Sequence, residues 1–203
     1  MPNKTFYNLD IEKRNRIIDS AKLEFSRVEL SEISIKNIVE DANIARGSFY
    51  QYFEDKEDLI RYIVKSEFET EKNNMKNFLE KASGDIFEAI ISYYEYLVET
   101  RKKTDGLYYK HIFHYINTVE ISELKQFKGK YIIKYVDLQR LNANCDEEIE
   151  IIINSLMGLT KMMLINVISG KISKKEGIRK HRLQINLLKN GMLRKESDNE
   201  RNF

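Results

Sequence analysis

The sequence has few of the residues that end strands and tighten loops. Of its 203 residues, one is proline, Pro2, and eight are glycine. Hairpins and short strands need such residues at regular intervals, so their scarcity argues against a β-rich fold and predicts an all-α protein. Hydrophobic residues make up 42% of the chain, which is enough for a sizeable core and excludes a disordered protein.

Cysteine is nearly absent, and charge of either sign is not in large excess. Cys145 is the one cysteine, so an intrachain disulfide is excluded, and the N-terminus lacks the apolar run of a signal peptide. Both absences favour a reducing, cytoplasmic setting. The net charge is +2, and residues 1–56 hold nine Lys/Arg against ten Asp/Glu. Any contact with nucleic acid would therefore depend on a few well-placed cations.

Recognisable catalytic and cofactor patterns are missing as well. No Ser/His/Asp, Cys/His or paired-carboxylate arrangement stands out, and no glycine-rich loop could hold phosphates. His111 and His114 could share one helix face, but no neighbouring cluster supplies the further ligands that a metal site needs. The sequence therefore predicts neither an enzyme nor a metal or cofactor protein.

Two short helices joined by a tight turn are predicted between Ser34 and Phe53. The Ser34 hydroxyl can cap the first helix, and apolar residues then recur at helical spacing up to Ala42. Asn43 interrupts this pattern where a left-handed residue is needed, a conformation that asparagine tolerates. The second helix, about residues 45–52, places Phe49 and Phe53 on one face. Its other face is expected to expose Arg46, Gly47, Ser48, Gln51 and Tyr52.

This pair has the geometry of a helix-turn-helix that reads the DNA major groove, although ordinary helical hairpins share it. The residues RGSFYQYF from Arg46 to Phe53, followed by KEDL from Lys56 to Leu59, closely resemble the signature of the TetR family of transcriptional repressors. The match reaches back through Arg16 and covers about the first 60 residues. Asn43 stands where the family usually has the turn glycine, and Ala45 where it has serine or threonine.

The resemblance implies a three-helix DNA-binding domain at residues 1–56, followed by a larger helical ligand-binding and dimerisation domain at 57–203. The protein would be a homodimeric repressor that leaves a palindromic double-stranded operator when a small, largely apolar or aromatic effector binds. That binding would shift the helix predicted from Asp55 to about Ala82. Phosphate contacts are expected from Ser34, Lys36, Tyr50, Tyr52 and Lys56. Base-edge contacts are expected from Arg46, Gly47, Ser48 and Gln51.

The resemblance also assigns roles to the C-terminal helices. The candidates for lining the effector pocket are Tyr93, Tyr96, Tyr109, His111 and Phe113. Such aromatic residues could equally form an ordinary core. The last two helices, about 146–169 and 173–194, would pair with those of a second copy. The first of them is very apolar, but interrupting polar residues favour packing against its own domain and a partner over a membrane span.

Three local predictions concern less distinctive segments. Residues 1–9 look like a loose arm whose Lys4 could reach a phosphate. The middle of the long helix, residues 65–77, is mostly polar and is expected to be exposed. A further helix is predicted at roughly 130–141. The alternative to a DNA-binding regulator is a helical bundle that binds small molecules or proteins and does not bind DNA.

Overall fold

The computed structural model describes residues 1–101, 105–118 and 130–192. All regular elements among these residues are helices, which confirms the predicted all-α fold. Two single 3-10 turns occur, at Leu30–Glu32 and Leu138–Arg140. The α-helices are α1 (Lys4–Tyr7), α2 (Ile11–Arg27), α3 (Ile35–Asp41), α4 (Arg46–Tyr52), α5 (Lys56–Lys81), α6 (Ile86–Thr100), α7 (Asp105–Thr118), α8 (Lys130–Ile133), α9 (Asp146–Ile168) and α10 (Lys174–Met192).

Polar side chains begin several of these helices, as the sequence predicts for Ser34. Asp10 accepts a hydrogen bond from the Lys13 amide at 2.8 Å, and Ser34 accepts one from the Asn37 amide at 3.4 Å. Asp85 and Ser173 do the same at the starts of α6 and α10. Each bond satisfies an amide that the first turn of a helix leaves without a partner.

The described chain forms two compact units. The first contains residues 1–70 and 105–118, and the second contains residues 71–101 and 130–192. The boundary falls inside α5. This boundary differs from the one expected after residue 56, which stays a prediction.

The N-terminal arm belongs to the core of the first unit, so the expectation of a loose arm is wrong. Phe6 is fully buried, with its ring centre 4.8 Å from that of Phe53 and 5.3 Å from that of Tyr62. The Asn3 amide and the Thr5 hydroxyl donate to carbonyl oxygens at the end of α4, at 2.8 and 2.9 Å. The arm is ordered because burying one large ring offsets the entropy lost by a short segment.

The second unit is built on α6, which packs against both α9 and α10. The Tyr94 ring stacks on the His181 ring at 4.0 Å between centroids. Gly177 lies at a close approach, since a Cβ added there would lie 2.3 Å from Cγ2 of Val167. The core of this unit is therefore tightly packed around the stacked rings of Tyr94 and His181.

Two predictions for this unit need correction. The helix expected at about 130–141 is a single turn, α8, because the Asp137 amide bonds to the Gly84 carbonyl at 2.9 Å and so leaves the helical pattern. The predicted exposure of residues 65–77 fails at Met75, which is fully buried, and is only partial at Glu71, whose side chain is 25% exposed. The Glu71 carboxylate accepts a hydrogen bond from Tyr93 of α6 and pairs with Arg101, the residue that follows α6.

Among the described residues, one helix is long and apolar enough to cross a membrane by composition. This helix, α9, has an 18-residue window with a mean hydropathy of 1.7, of which 44% is buried. One face packs inside the unit through residues such as Ile153 and Leu156, whereas Ile151 and Met162 are more than half exposed.

Candidate nucleic-acid interface

The turn between α3 and α4 has the geometry that the sequence predicts. Asn43 adopts a left-handed conformation with φ at 52°, which confirms its expected role as the turn residue. The Ile44 amide donates to the Val39 carbonyl at 3.0 Å, across the end of α3. The bond satisfies a carbonyl that the helix terminus would otherwise leave free. The two helices are thus held at a fixed angle.

A buried carboxylate that the sequence reading overlooked braces the start of α3. Glu24 of α2 is 1% exposed and accepts hydrogen bonds from the Ser34 amide at 3.1 Å and the Asn37 side chain at 3.0 Å. The Arg27 guanidinium lies 3.7 Å from the same carboxylate. Glu24 lies on the same face of α2 as the buried residues Ile17 and Phe25. An acid on an apolar helix face is the sequence feature that could have indicated a buried carboxylate.

The inner face of α4 is aromatic and buried. Phe49 and the following Phe53 are fully buried, as predicted. Tyr52 is 4% exposed, so the expectation that it faces outward is wrong. Tyr52 turns inward because its ring packs with that of Phe6, at 6.3 Å between centroids. The contact expected between Tyr52 and a DNA phosphate stays a prediction. Only the small exposed part of this side chain could make it.

The outer face of α4 is polar and open to solvent. Arg46, Gly47 and Gln51 are exposed, Ser48 is half-buried, and Tyr50 is 48% exposed. A Cβ added at Gly47 would meet nothing within 4 Å. Packing within the described residues therefore gives no reason for a glycine at this place. Gly47 lies in the first turn of α4, where glycine costs less than in a helix interior.

The remaining predicted phosphate contacts lie at the starts of α3 and α5. The Ser34 hydroxyl is engaged as the cap of α3. Lys36 is 71% exposed and lies 3.9 Å from Glu40 on the next turn. The Lys56 ammonium donates to the Ser31 carbonyl at 2.7 Å, which fixes its position and leaves two of its three N–H groups for another acceptor.

The five residues predicted to line an effector pocket divide between the two units. Tyr93 and Tyr96 belong to the second unit, where Tyr93 is 4% and Tyr96 is 39% exposed. Tyr109 and His111 belong to the first unit and are both buried. The side chain of Phe113 lies outside the described residues.

His111 has a structural role in the first unit. Its Nδ1 lies 2.8 Å from the carbonyl oxygen of Phe25, in the last turn of α2. This carbonyl is one of those that a helix end leaves without an intrahelical partner. Nε2 of His111 lies 3.5 Å from the Glu29 carboxylate. Within the part of the chain that the structure describes, no group of three or more His, Cys, Asp or Glu residues could hold a metal ion.

Comparisons with known proteins agree with this geometry. Residues 17–63 match the family described as "Bacterial regulatory proteins, tetR family", and residues 85–192 match "Tetracyclin repressor-like, C-terminal domain". The HTH-type transcriptional regulator SAB2452 of Staphylococcus aureus (strain bovine RF122 / ET3-1) is 28% identical over 89 residues, which are 44% of this chain. The matched stretch spans 48%, about half, of that protein's length.

Solved structures show the same fold. A TetR family transcriptional regulator from Chloroflexus aurantiacus J-10-FL is 24% identical with a TM-score of 0.58, and the match covers 96% of this chain and 100% of that one. A tetR-family transcriptional regulator from Streptomyces coelicolor is 17% identical with a TM-score of 0.61, covering 89% and 81%. At such low identity these structures bear on the fold alone.

Proposed function

Because this chain belongs to the TetR family of bacterial regulatory proteins, whose members are DNA-binding transcription factors and not enzymes, we propose that it is a homodimeric transcriptional repressor. It binds a palindromic operator in the cytoplasm and leaves it when a small, largely apolar or aromatic effector binds. The proposal depends mainly on the two different faces of α4. This short helix buries an aromatic face and exposes a polar face with a glycine, which a purely structural hairpin would not need.

Two kinds of DNA contact are assigned to this surface. Arg46 can pair with guanine through two hydrogen bonds and Gln51 with adenine, while Gly47 lets the backbone approach the groove. Tyr50 and Lys56 hold phosphates and so set the register of the helix on DNA. Ser48 completes the base-edge group. The phosphate group is completed by Ser34, Lys36 and Tyr52.

Fluorescence anisotropy with DNA from upstream of the protein's own gene, at two salt concentrations, tests the proposal. The wild-type protein should bind tightly and lose affinity steeply as salt rises, because phosphate contacts release counterions. The double variant Tyr50→Ala/Lys56→Ala should lose this binding, whereas Lys171→Ala, which removes one exposed charge elsewhere, should keep it. If selection from random DNA also enriches no site, the protein is an interaction bundle and the proposal fails.

The two kinds of contact should respond differently to substitution. Tyr50→Ala should weaken binding to all DNA sequences alike. Gln51→Ala should change which sequences are preferred, by roughly 1–3 kcal/mol at one base pair. Competition binding with single-base operator variants measures both effects. An equal loss on every sequence for Gln51→Ala would remove Gln51 from the base-reading group.

Gly47→Ala should separate DNA binding from folding. The added methyl group meets nothing within the described chain, and alanine favours helix by up to about 1 kcal/mol over glycine. The variant should therefore be at least as stable as the wild type by thermal unfolding. Its operator affinity should fall about tenfold or more, because the methyl group holds the backbone away from the groove. Unchanged affinity would mean that α4 does not come close to DNA at this residue.

A second copy of the chain is proposed to cover the open faces of α9 and α10. On α9 the exposed apolar residues Ile151 and Met162 flank Gly158, where an added Cβ would meet nothing within 4 Å. On α10, Leu183 is 51% and Leu187 is 64% exposed. Large exposed apolar faces usually mark an interface. A two-fold dimer through residues 146–169 and 173–194 would bury them and present two recognition helices to a palindrome.

The substitution Leu187→Glu should break this dimer. It places a charge in the middle of the proposed apolar contact, where desolvation without a partner is unfavourable. Sedimentation should show a shift from dimer to monomer at micromolar protein. The matched control Leu138→Glu changes an exposed leucine that lies outside both helices and should leave the dimer intact. Dissociation in both variants, or in neither, would place the interface elsewhere.

A further inference from the structure

The carbonyl oxygens at the end of α4 are hydrogen-bonded by residues from the start of the chain. The Thr5 hydroxyl donates to the Gln51 carbonyl at 2.9 Å, and the Asn3 side-chain amide donates to the same oxygen at 3.3 Å. The Asn3 backbone amide donates to the Tyr52 carbonyl at 2.8 Å. The end of a helix leaves its last carbonyls without intrahelical partners. Asn3 and Thr5 therefore form a C-terminal cap for α4.

Gln51 is held by this cap and is also one of the residues assigned to base reading. Its carbonyl oxygen receives two of the three hydrogen bonds of the cap, whereas its side chain is exposed. A side chain that pairs with a base through two hydrogen bonds must be placed to within about 0.5 Å of the right position. The cap fixes the backbone from which the Gln51 side chain extends.

Few features of α4 itself would hold this end of the helix. The helix has seven residues, which is fewer than an isolated helix needs for stability. Its last turn contains no basic residue that could bond the free carbonyls. The next residue, Phe53, has an extended backbone, and its amide donates to the Phe49 carbonyl. The cap therefore supplies hydrogen bonds to Gln51 and Tyr52 that these features of α4 do not.

Packing in the core fixes the position of the cap. Phe6 follows Thr5 directly and is fully buried, with its ring against those of Phe53 and Tyr62. Asn3 and Thr5 are themselves exposed, so water competes for their hydrogen bonds in the free protein. DNA against the outer face of α4 would exclude part of this water, and hydrogen bonds are stronger where water is excluded. The cap is thus suited to act in the DNA complex.

We propose that Asn3 and Thr5 are positioning residues for base recognition. They act through Gln51, whose side chain they hold in the register at which it meets its base pair. The selectivity of α4 at this base pair then depends on Thr5, a residue 46 positions away in the sequence. The inference rests on the proposed function, since it concerns how the proposed operator is read.

Competition binding to single-base variants of an operator selected from random DNA tests this role. The base pair whose preference changes in Gln51→Ala identifies the position that Gln51 reads. Thr5→Val removes the hydroxyl and keeps the shape, so discrimination at that position should fall about threefold or more, with other positions unchanged. Thr5→Ser keeps the donor and should retain the discrimination of the wild type.

Two asparagine substitutions form a matched pair for the same assay. Asn3→Ala should lower discrimination at the position read by Gln51, but less than Thr5→Val, because its side-chain bond is longer and its backbone bond to Tyr52 remains. Asn8→Ala changes an exposed asparagine at the end of α1 and should leave discrimination unchanged. Equal effects of the two substitutions would contradict a role for the Asn3 side chain.

A double-mutant cycle distinguishes positioning from a general structural role. In the Gln51→Ala background, Thr5→Val should have no further effect on discrimination, because the side chain through which it acts is gone. A general role in the fold would instead lower the midpoint of thermal unfolding and weaken binding to every sequence alike, in both backgrounds. That result would overturn the proposal.

The same titrations separate this inference from the proposed function. Sequence-selective binding by the wild type, with equal discrimination in Thr5→Val and Thr5→Ser, would overturn the inference and leave the proposed function standing. A uniform loss in Gln51→Ala would remove the base contact and the inference with it, while DNA binding remained. If the wild-type protein showed no selective DNA binding, the proposed function itself would fail.

Discussion

Replacing Phe6 with alanine is expected to lower the free energy of unfolding by about 3–5 kcal/mol, the usual cost of removing a fully buried phenylalanine. Phe6 is 0% exposed, and the rings of Phe53, Tyr62 and Tyr52 surround it. Its loss would leave a cavity under the segment that caps α4. Because a seven-residue helix is not stable alone, operator affinity should fall as well, while the salt dependence of the residual binding stays the same.

Denaturant unfolding and anisotropy on the same samples measure both effects. Lys4→Ala is the matched control, since Lys4 is exposed in the same short helix. It should leave stability unchanged, and any loss of DNA affinity in this variant would show that the arm also contacts a phosphate. A stability loss below about 1 kcal/mol for Phe6→Ala would mean that the arm contributes little to the core.

Lowering the pH from about 6.5 to 4 is expected to destabilise the fold through His181. Burial, and then the neighbouring Arg182, lower the pKa of His181 from 6.5 to about 4. The unfolded chain therefore takes up a proton in this range and the folded chain does not. The contribution of His181 to the free energy of unfolding is unchanged above about pH 6.5 and decreases as the pH drops towards 4. A pKa shift of this size corresponds to a loss of about 3 kcal/mol in the free energy of unfolding.

The surroundings of His181 explain why its protonated form is unfavourable. Nε2 lies 2.9 Å from the oxygen of the Thr160 hydroxyl, which donates its one hydrogen to the Leu156 carbonyl at 2.8 Å, and Nδ1 has no partner among the described atoms. The ring is stacked on Tyr94 of α6, and Arg182 pairs with Glu95 of the same helix. No acid faces the imidazole among the contacts described.

Unfolding of the wild type and of His181→Gln between pH 7 and 4.5, at one protein concentration, checks this prediction. The concentration must be fixed because association would also stabilise the folded state. The variant should be less stable at pH 7 but should lose less stability on acidification. If both proteins lost stability in parallel, the acid sensitivity would arise from carboxylates elsewhere.

Residue patterns within a few positions of each other predict most helices and the turn before α4. Capping by Ser34 and the left-handed conformation of Asn43 depend on residues within three or four positions, so the sequence displays them directly. The spacing of Phe49 and Phe53 indicates which face of α4 is buried. Its inner and outer faces agree with the structure except at Tyr52, where a contact from Phe6, far away in the chain, turns the ring inward.

Features that depend on distant partners could not be predicted in this way. Phe6 stands alone in a polar segment, and nothing near it in the sequence indicates burial. Glu71 lies in a polar stretch that reads as exposed, and its partners come from α6 and the residue that follows α6. His111, a candidate for the effector pocket, lies 2.8 Å from a helix-end carbonyl of α2 through its Nδ1. Each of these roles depends on tertiary packing that spacing along the chain does not encode.

The separation of faces on α4 has a consequence for how this regulator can change over evolution. Phe49 and Phe53, which secure the helix, are both buried, whereas Arg46 and Gln51, two of the four residues assigned to base reading, are exposed. Exposed substitutions usually alter stability by less than about 0.5 kcal/mol. If Arg46 and Gln51 read bases as proposed, substitutions at these two positions should change the preferred operator without loss of stability, and a library that varies both positions would test this.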